Sequence, residues 1–215
     1  MTYTDPQEIE QRSFEIIRQE LARLEAAAGP RRRELTGLEA AVLTRVIHTS
    51  ADFDYYENLV FTHDAARAGY DLLRAGAWVV TDTVMAFSGI RKRNLERYGG
   101  EARCFIADRD VADAARLNGG TRARAGVDKA AGLAAPLVFA VGNAPTALMR
   151  MRELYDAGRF SPRMVIAAPV GFVNVEESKA LCAALPVPCV IALGRKGGSA
   201  VAAAVINALL QDYTD

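Results

Sequence analysis

Five short apolar segments, separated by longer segments with helical periodicity, constrain the fold of this chain more than any other feature. Most of them are rich in β-branched residues, and they cover residues 77–81, 104–107, 137–141, 164–168 and 188–193. Such an alternation is typical of a parallel sheet that helices bury on both faces. We therefore predict an α/β fold, a three-layer α/β/α sandwich with a mostly parallel sheet of about five strands.

The N-terminal part has a different pattern, which predicts a helical extension of the sandwich. Asp5-Pro6-Gln7-Glu8 combines a capping residue, a proline at the first helical position and a glutamate three residues after the cap. Gly29-Pro30 ends this helix, and a second helix is predicted from Leu35 to about Ile47. No linker or repeat interrupts the sequence, so residues 1–215 are predicted to form a single domain.

The composition argues against several classes of protein. The 26 basic and 26 acidic residues cancel, which argues against a nucleic-acid-binding or membrane-surface protein. No apolar run is long enough to span a membrane, and the charged N-terminus does not resemble a signal peptide. The three cysteines, Cys104, Cys182 and Cys189, lack metal-type spacing. We therefore expect a cytoplasmic protein with free thiols and no metal site.

The loops that follow the predicted strands are where a ligand is expected, because ligands of open α/β sheets gather at the carboxyl ends of the strands. The last of these loops, residues 194–199, places glycines, Arg195 and Lys196 before a helix, a combination that suits a carboxylate or a phosphate. A plain turn with surface cations explains it equally well. The Rossmann and Walker glycine patterns are absent, which argues against a dinucleotide-dependent enzyme.

Two further loops carry polar signals. Thr121-Arg122 could hold a carboxylate, although an ordinary helix cap with a surface arginine is the simpler interpretation. Asn174-Val175-Glu176-Glu177 predicts a capping box at the start of a helix.

His48 is the side chain best suited to acid–base chemistry. Residues 45–54 place Arg45, His48, Asp52 and Asp54 together, and apart from His63 no other side chain titrates near neutral pH without tuning. If this segment is helical, Arg45 and His48 lie on one face. A packed or surface histidine remains the alternative, because a single histidine supplies no geometry.

Five segments resemble the precorrin-8X methylmutases of corrinoid biosynthesis. They are RVIHTSADFD (45–54), TDTVMAFSGIRKR (81–93), GNAPTAL (142–148), PVGFVNVEESK (169–179) and GRKGGSAVAAA (194–204), and the resemblance covers nearly the whole chain. It implies a three-layer α/β/α isomerase that moves a methyl group from C11 to C12 of the macrocycle without a methyl donor. It also implies a homodimer with substrate sites near the subunit interface, and we expect no cofactor.

The resemblance implies roles for individual residues. His48 corresponds to the proposed acid/base histidine of the family. Substrate-binding residues are expected at Ser13, Arg45, Thr121 and Arg122. For a flat ring edged with carboxylates, we further expect Lys196 to bind the rim. The faces of the ring are expected to contact Met85, Ala86, Val170 and Phe172.

Two branches of the family differ in whether the macrocycle carries cobalt. The HTSADFD stretch and Lys196 resemble the cobalt branch, which predicts conversion of cobalt-precorrin-8 to cobalt cobyrinic acid in cobalamin (vitamin B12) biosynthesis. A methylmutase that acts on the metal-free macrocycle and gives hydrogenobyrinic acid is one alternative. A corrinoid carrier that binds the product without turnover is another.

Overall fold

The sheet has six strands within residues 5–29 and 33–213, the part of the chain that the computed structural model describes. The strands are β1 (Leu59–Thr62), β2 (Trp78–Thr81), β3 (Ala102–Cys104), β4 (Leu137–Val141), β5 (Met164–Ala167) and β6 (Cys189–Ala192). Their order across the sheet is β1-β6-β5-β4-β2-β3. Every neighbouring pair is parallel except β1 with β6. The predicted α/β fold with a mostly parallel sheet is thus confirmed.

Helices connect the strands and precede the first of them. They are α1 (Pro6–Ala28), α2 (Gly37–Ser50), α3 (Tyr55–Asn58), α4 (Ala65–Arg74), α5 (Val84–Gly89), α6 (Lys92–Glu96), α7 (Arg109–Leu117), α8 (Arg122–Ala130), α9 (Pro145–Asp156), α10 (Val175–Ala183) and α11 (Ser199–Leu209). The expected N-terminal helices are both present. Asp5 caps α1 by accepting the amide of Gln7 at 2.7 Å, and Thr36 and Glu39 form a capping box on α2.

Two predictions about the strands were wrong in detail. The sheet has six strands rather than about five, because β1 was missed: its four residues form a half-exposed edge strand, which lacks a continuous apolar run. The β3 strand lies at 102–104 rather than 104–107, because pairing with β2 places Ala102 opposite Val79. It is also an edge strand, so its charged Arg103 is tolerated at the exposed position.

Strict alternation along the central strands produces two cores, one on each face of the sheet. In β4, Val138 and Ala140 face the core that α1, α2, α4 and α11 cover. Leu137, Phe139 and Val141 face the core that α8, α9 and α10 cover. Side chains of successive strand residues point to opposite faces, so a sheet buried on both sides must be apolar at every position.

The strand order creates a switch point between β2 and β4. β2 is followed by α5, which packs with α11 on one face, whereas β4 is followed by α9, which packs with α8 and α10 on the other. The two chain paths therefore diverge at the carboxyl ends of these neighbouring strands. A crevice between diverging connections is the usual ligand position in open α/β sheets.

Candidate active site

His48 lies in the last turn of α2, and Arg45 lies one turn earlier on the same face. Phe14 of α1 contacts both of them. Its ring centroid is 5.0 Å from that of His48, in an edge arrangement, and 4.7 Å from the guanidinium carbon of Arg45. The N-terminal extension therefore packs directly on the predicted acid–base group.

Arg45 is buried and paired with an acidic residue that the sequence did not reveal. Its Nη1 atom donates to Glu10 Oε1 at 2.6 Å, and only 8% of its side chain is exposed. The hydrogen bond from Arg45 lowers the pKa of Glu10 below its ordinary value. In the sequence, Glu10 is one of several charged residues of α1 and looks like a solvent-exposed glutamate. Its pairing with Arg45 follows only from the way the two helices pack.

Ser13 lies beside Phe14 on the half-buried side of α1. Its hydroxyl donates to the carbonyl of Ile9 at 2.8 Å, within the helix. Ser13 is thus the chain neighbour of Phe14, the residue of α1 that contacts Arg45 and His48.

Lys196 connects the loop after β6 to the end of α2. Its Nζ atom lies 2.7 Å from Asp52 Oδ2 and 2.5 Å from Asp54 Oδ2. The hydrogen bonds that Lys196 donates to these carboxylates raise the pKa of Lys196, and the same pairing lowers the pKa of Asp52. Because α2 runs antiparallel to α11, with Gly37 near Tyr213, its last turn is adjacent to this loop.

Lys179 of α10 holds the same loop by hydrogen bonds to its backbone. No role for this residue was predicted from the sequence. It is 1% exposed, and its Nζ atom donates to the carbonyls of Gly194 at 2.7 Å and Lys196 at 2.8 Å. Burial lowers the pKa of Lys179 to about 8. The only signal in the sequence is its spacing from Val175 and Cys182, which places all three on one face of the helix. A lysine on a buried face is rare and requires hydrogen-bond partners.

Asp82 fixes the switch point between β2 and β4. Its carboxylate accepts the amides of Gly142, Asn143 and Ala144 at 2.9, 2.8 and 2.7 Å. Burial raises the pKa of Asp82, and these three donors oppose the shift. Asp82 therefore ties the loop after β2 to the start of α9, where Pro145 occupies the first turn.

Thr121 and Arg122 lie on the opposite face of the sheet from His48. Thr121 caps α8 by accepting the amide of Arg124 at 3.2 Å, and its hydroxyl is 2.8 Å from that of Thr146. Arg122 lines a small cavity with Asp82 and the apolar side chains of both central strands. The helix cap expected as the simpler interpretation is present, and Arg122 also faces a cavity at the switch point.

Large apolar side chains stand exposed in the first turn of α5, which follows β2, and in the loop after β5. Met85 is 73% exposed and Phe172 is 83% exposed, and Val170 is also exposed. Ala86, by contrast, is completely buried, so the prediction that it contacts a ligand face was wrong. Ala86 lies one turn into α5, on the side that packs against the core.

The predicted capping box at the start of α10 was also wrong. Asn174 has φ of 59°, in the left-handed region, and its side chain makes no capping hydrogen bond. Within the described residues, no group of three potential metal-ligating side chains is close enough to hold an ion. Of the helices described here, none is long and apolar enough to cross a bilayer.

The fold and the site together indicate an α/β enzyme, with a histidine and several positively charged side chains near the carboxyl ends of the parallel strands. Comparison with known proteins specifies the class: the chain belongs to the precorrin-8X methylmutase family, whose sequence model matches residues 8–212. It is therefore an isomerase of cobalamin biosynthesis that catalyses an intramolecular methyl shift.

Individual relatives match over most of their length. A cobalt-precorrin-8 methylmutase of Salmonella typhimurium is 46% identical, with 95% of this chain and 94% of the relative covered. One from Priestia megaterium is 42% identical, with 95% and 87% covered. A crystal structure of a precorrin-8X methylmutase from Thermus thermophilus superposes with a TM-score of 0.82 at 36% identity, covering 95% of this chain and 94% of the other.

Proposed function

We propose that this chain moves the methyl group from C11 to C12 of cobalt-precorrin-8 and produces cobalt cobyrinic acid. The observation that carries the proposal is the contact of Lys196 with Asp52 and Asp54. The acidic stretch and the lysine are the two features in which the sequence resembles the cobalt branch. Their ion pairs make them one unit beside the helix that carries His48.

The names of the relatives agree with this substrate. Those at 46% and 42% identity are cobalt-precorrin-8 methylmutases. A relative from Pseudomonas aeruginosa that is named precorrin-8X methylmutase is 37% identical over 90% of this chain and 93% of its own length.

His48 is the acid/base of the proposed reaction. It transfers a proton to or from the ring while the methyl group migrates between two neighbouring carbons of the same molecule. General acid–base catalysis contributes about 10²–10⁴-fold, and the rest of the acceleration comes from holding the ring in a reactive geometry. Phe14 supports this role, because its edge contact restricts the orientation of the imidazole.

The remaining site residues hold the substrate. Arg45 and Arg122 attract its peripheral carboxylates, and Ser13 and Thr121 offer hydroxyl groups. Lys196 is paired with Asp52 and Asp54 in the free protein, so it binds a substrate carboxylate by exchanging one of these partners. The exposed side chains of Met85, Val170 and Phe172 supply apolar contacts for the flat ring.

We also propose that residues 1–215 act as one domain in a cytoplasmic homodimer without a bound cofactor. Ile9, Ile16 and Leu24 support the dimer, because they form an exposed apolar stripe along α1, seven and eight residues apart. The free thiols of Cys104, Cys182 and Cys189 suit a reducing compartment.

Turnover of the two candidate substrates tests the choice of branch. The protein is incubated separately with cobalt-precorrin-8 and with metal-free precorrin-8X, and methyl migration is followed by absorbance and by NMR of the isolated product. We expect the cobalt complex to react faster. A faster reaction of the metal-free macrocycle would assign the chain to the other branch, and product binding without any migration would identify a carrier.

A further inference from the structure

A cleft beside the predicted acid–base pair contains a second arginine that has no role so far. The cleft has a volume of about 250 Å³ and lies between α2, α11 and the connection from α5 to α6. Arg45 and Thr49 line one wall, and Arg91 lines another. Between them the wall is made of Gly89, Ala200 and Ala203, whose small side chains leave the space open.

The backbone of Arg91 is held firmly at the edge of this cleft. Its amide donates to Asn207 Oδ1 at 2.8 Å, and Asn207 Nδ2 donates to the carbonyl of Gly89 at 2.8 Å. One side chain of α11 therefore fixes both sides of the turn between α5 and α6. The Arg91 side chain itself makes no hydrogen bond or ion pair within residues 5–29 and 33–213, so its donors are available to a ligand.

The charges around the cleft do not cancel. Glu10 is the carboxylate that pairs with Arg45, and the hydrogen bond from Arg45 lowers its pKa, with Arg91 and His48 acting in the same direction through space. Two permanent guanidinium charges therefore act on one carboxylate. The excess positive charge favours a second anion, and the planar donors of arginine suit a carboxylate in particular.

We propose that Arg91 and Arg45 form a carboxylate-binding subsite, which takes one peripheral carboxylate of the corrinoid and thereby positions the ring at His48. This inference rests on the proposed function for the identity of the ligand. Arg45 lies one helical turn from His48, so a carboxylate in the cleft is held close to the acid–base group. Arg91 then determines specificity for a ring with an acidic side chain at that position.

Binding of dicyanocobyrinic acid, a stable corrin that keeps its carboxylates, tests the subsite. We compare Arg91→Gln with Arg93→Gln, which removes the same charge from the same short helical segment but does not line the cleft. Affinity is measured by absorbance titration at 50 and 300 mM NaCl, after circular dichroism has shown that both variants are folded.

We expect Arg91→Gln to raise the Kd about tenfold or more at 50 mM NaCl, because a hydrogen bond to a charged group is lost. The effect should shrink at 300 mM NaCl, since salt screens exposed charges. Arg93→Gln should stay within about twofold of wild type, and Arg91→Lys should recover part of the lost affinity. Equal weakening by the Arg91→Gln and Arg93→Gln variants, or an unchanged Kd for Arg91→Gln, would overturn the proposal.

Turnover is measured separately, so that the two proposals fail in different ways. If the wild-type protein binds the corrin but moves no methyl group, the proposed function is contradicted. The Kd values of Arg91→Gln and Arg93→Gln then still decide whether the subsite exists. A wild-type protein that turns over normally, with Arg91→Gln showing unchanged KM and Kd, contradicts only the subsite.

Discussion

Phe14 is the residue that joins the N-terminal helix to the predicted acid–base group. It packs on Arg45 and on His48, while Glu10, one turn earlier in α1, neutralises part of the charge of Arg45. One face of α1 therefore sets both the orientation of the imidazole and the electrostatics around it. The surroundings of the proposed acid–base residue thus depend on the N-terminal helix.

Replacing His48 separates catalysis from binding. We expect His48→Ala to lower kcat by about 10²–10⁴-fold, because the proton donor is lost while the groups that hold the ring remain. Product affinity should stay close to that of wild type in an absorbance titration. Normal turnover of the variant would show that another group supplies the proton.

Lys179 makes the stability of the protein depend on pH in the alkaline range. Its pKa of about 8 in the folded state is below the ordinary value of 10.5. Between these values the unfolded chain binds more protons, so this group makes the free energy of unfolding rise with pH. At lower pH the buried charge is a cost that its two carbonyl partners offset.

We expect the wild type to gain stability relative to Lys179→Met as pH rises from 8 to about 10.5. Urea unfolding of both proteins at pH 7.5, 8.5 and 9.5 measures this difference. The difference between the two proteins isolates Lys179 from other groups that titrate in the same range. Parallel pH profiles for the two proteins would contradict a lowered pKa at this position.

At the scale of secondary structure, the close packing of the segment after β4 against the start of α11 limits which substitutions are tolerated there. Gly142 follows β4 at the switch point, and a Cβ atom there would lie 2.5 Å from Cα and 2.7 Å from N of Ser199, at the start of α11. Neither backbone atom can move without shifting a helix that packs on α2 and α5.

Gly142→Ala is therefore expected to lower the free energy of unfolding by about 1–3 kcal/mol, the usual cost of overpacking. Gly120→Ala is the matched control, because the nearest atom to its added Cβ is Arg124 Cδ at 3.5 Å. Urea denaturation checks both variants. Equal stability of the two would mean that the α11 start can shift at little cost.

The central elements were predictable from the sequence because strands buried on both faces are continuously apolar. The β4, β5 and β6 strands lie within predicted segments, and α1 begins at its predicted cap. The edge strand β1 was not predictable in this way, since half of its surface is exposed. At Asn174 the sequence signal of a capping box was misleading, because the backbone there is left-handed.

The candidate site was predictable only where its residues are neighbours in the chain. Arg45 and His48 are one helical turn apart, so their common face follows from their spacing. Glu10 pairs with Arg45 across 35 positions of sequence, and Lys179 reaches the carbonyl of Gly194 across 15. Pairings of this kind depend on how helices pack, which local periodicity does not specify.

At the scale of the whole molecule, α1 presents an exposed apolar face. It buries Ile17 and Leu21 against the body of the protein, and the stripe of Ile9, Ile16 and Leu24 stays exposed. A second copy of the chain would cover such a stripe in the proposed homodimer.

We expect light scattering to give twice the mass of one chain for the wild type, and Ile16→Glu to shift the protein towards the monomer, since a charge would be buried in the interface. Leu117→Glu, at an 82% exposed position of α7, should leave the mass unchanged. If Ile16→Glu also remains dimeric, the interface lies on another surface.

The hydrogen bonds of Asp82 limit which ligands can bind at the start of α9. Backbone amides at the start of a helix that follows a parallel strand commonly bind the phosphates of nucleotides. In this protein, three such amides before α9 are already occupied by an internal carboxylate. The position where a related architecture would bind a nucleotide is thus blocked by the chain itself. A ligand without phosphate must be held by its rim and its flat faces, as a corrin can be.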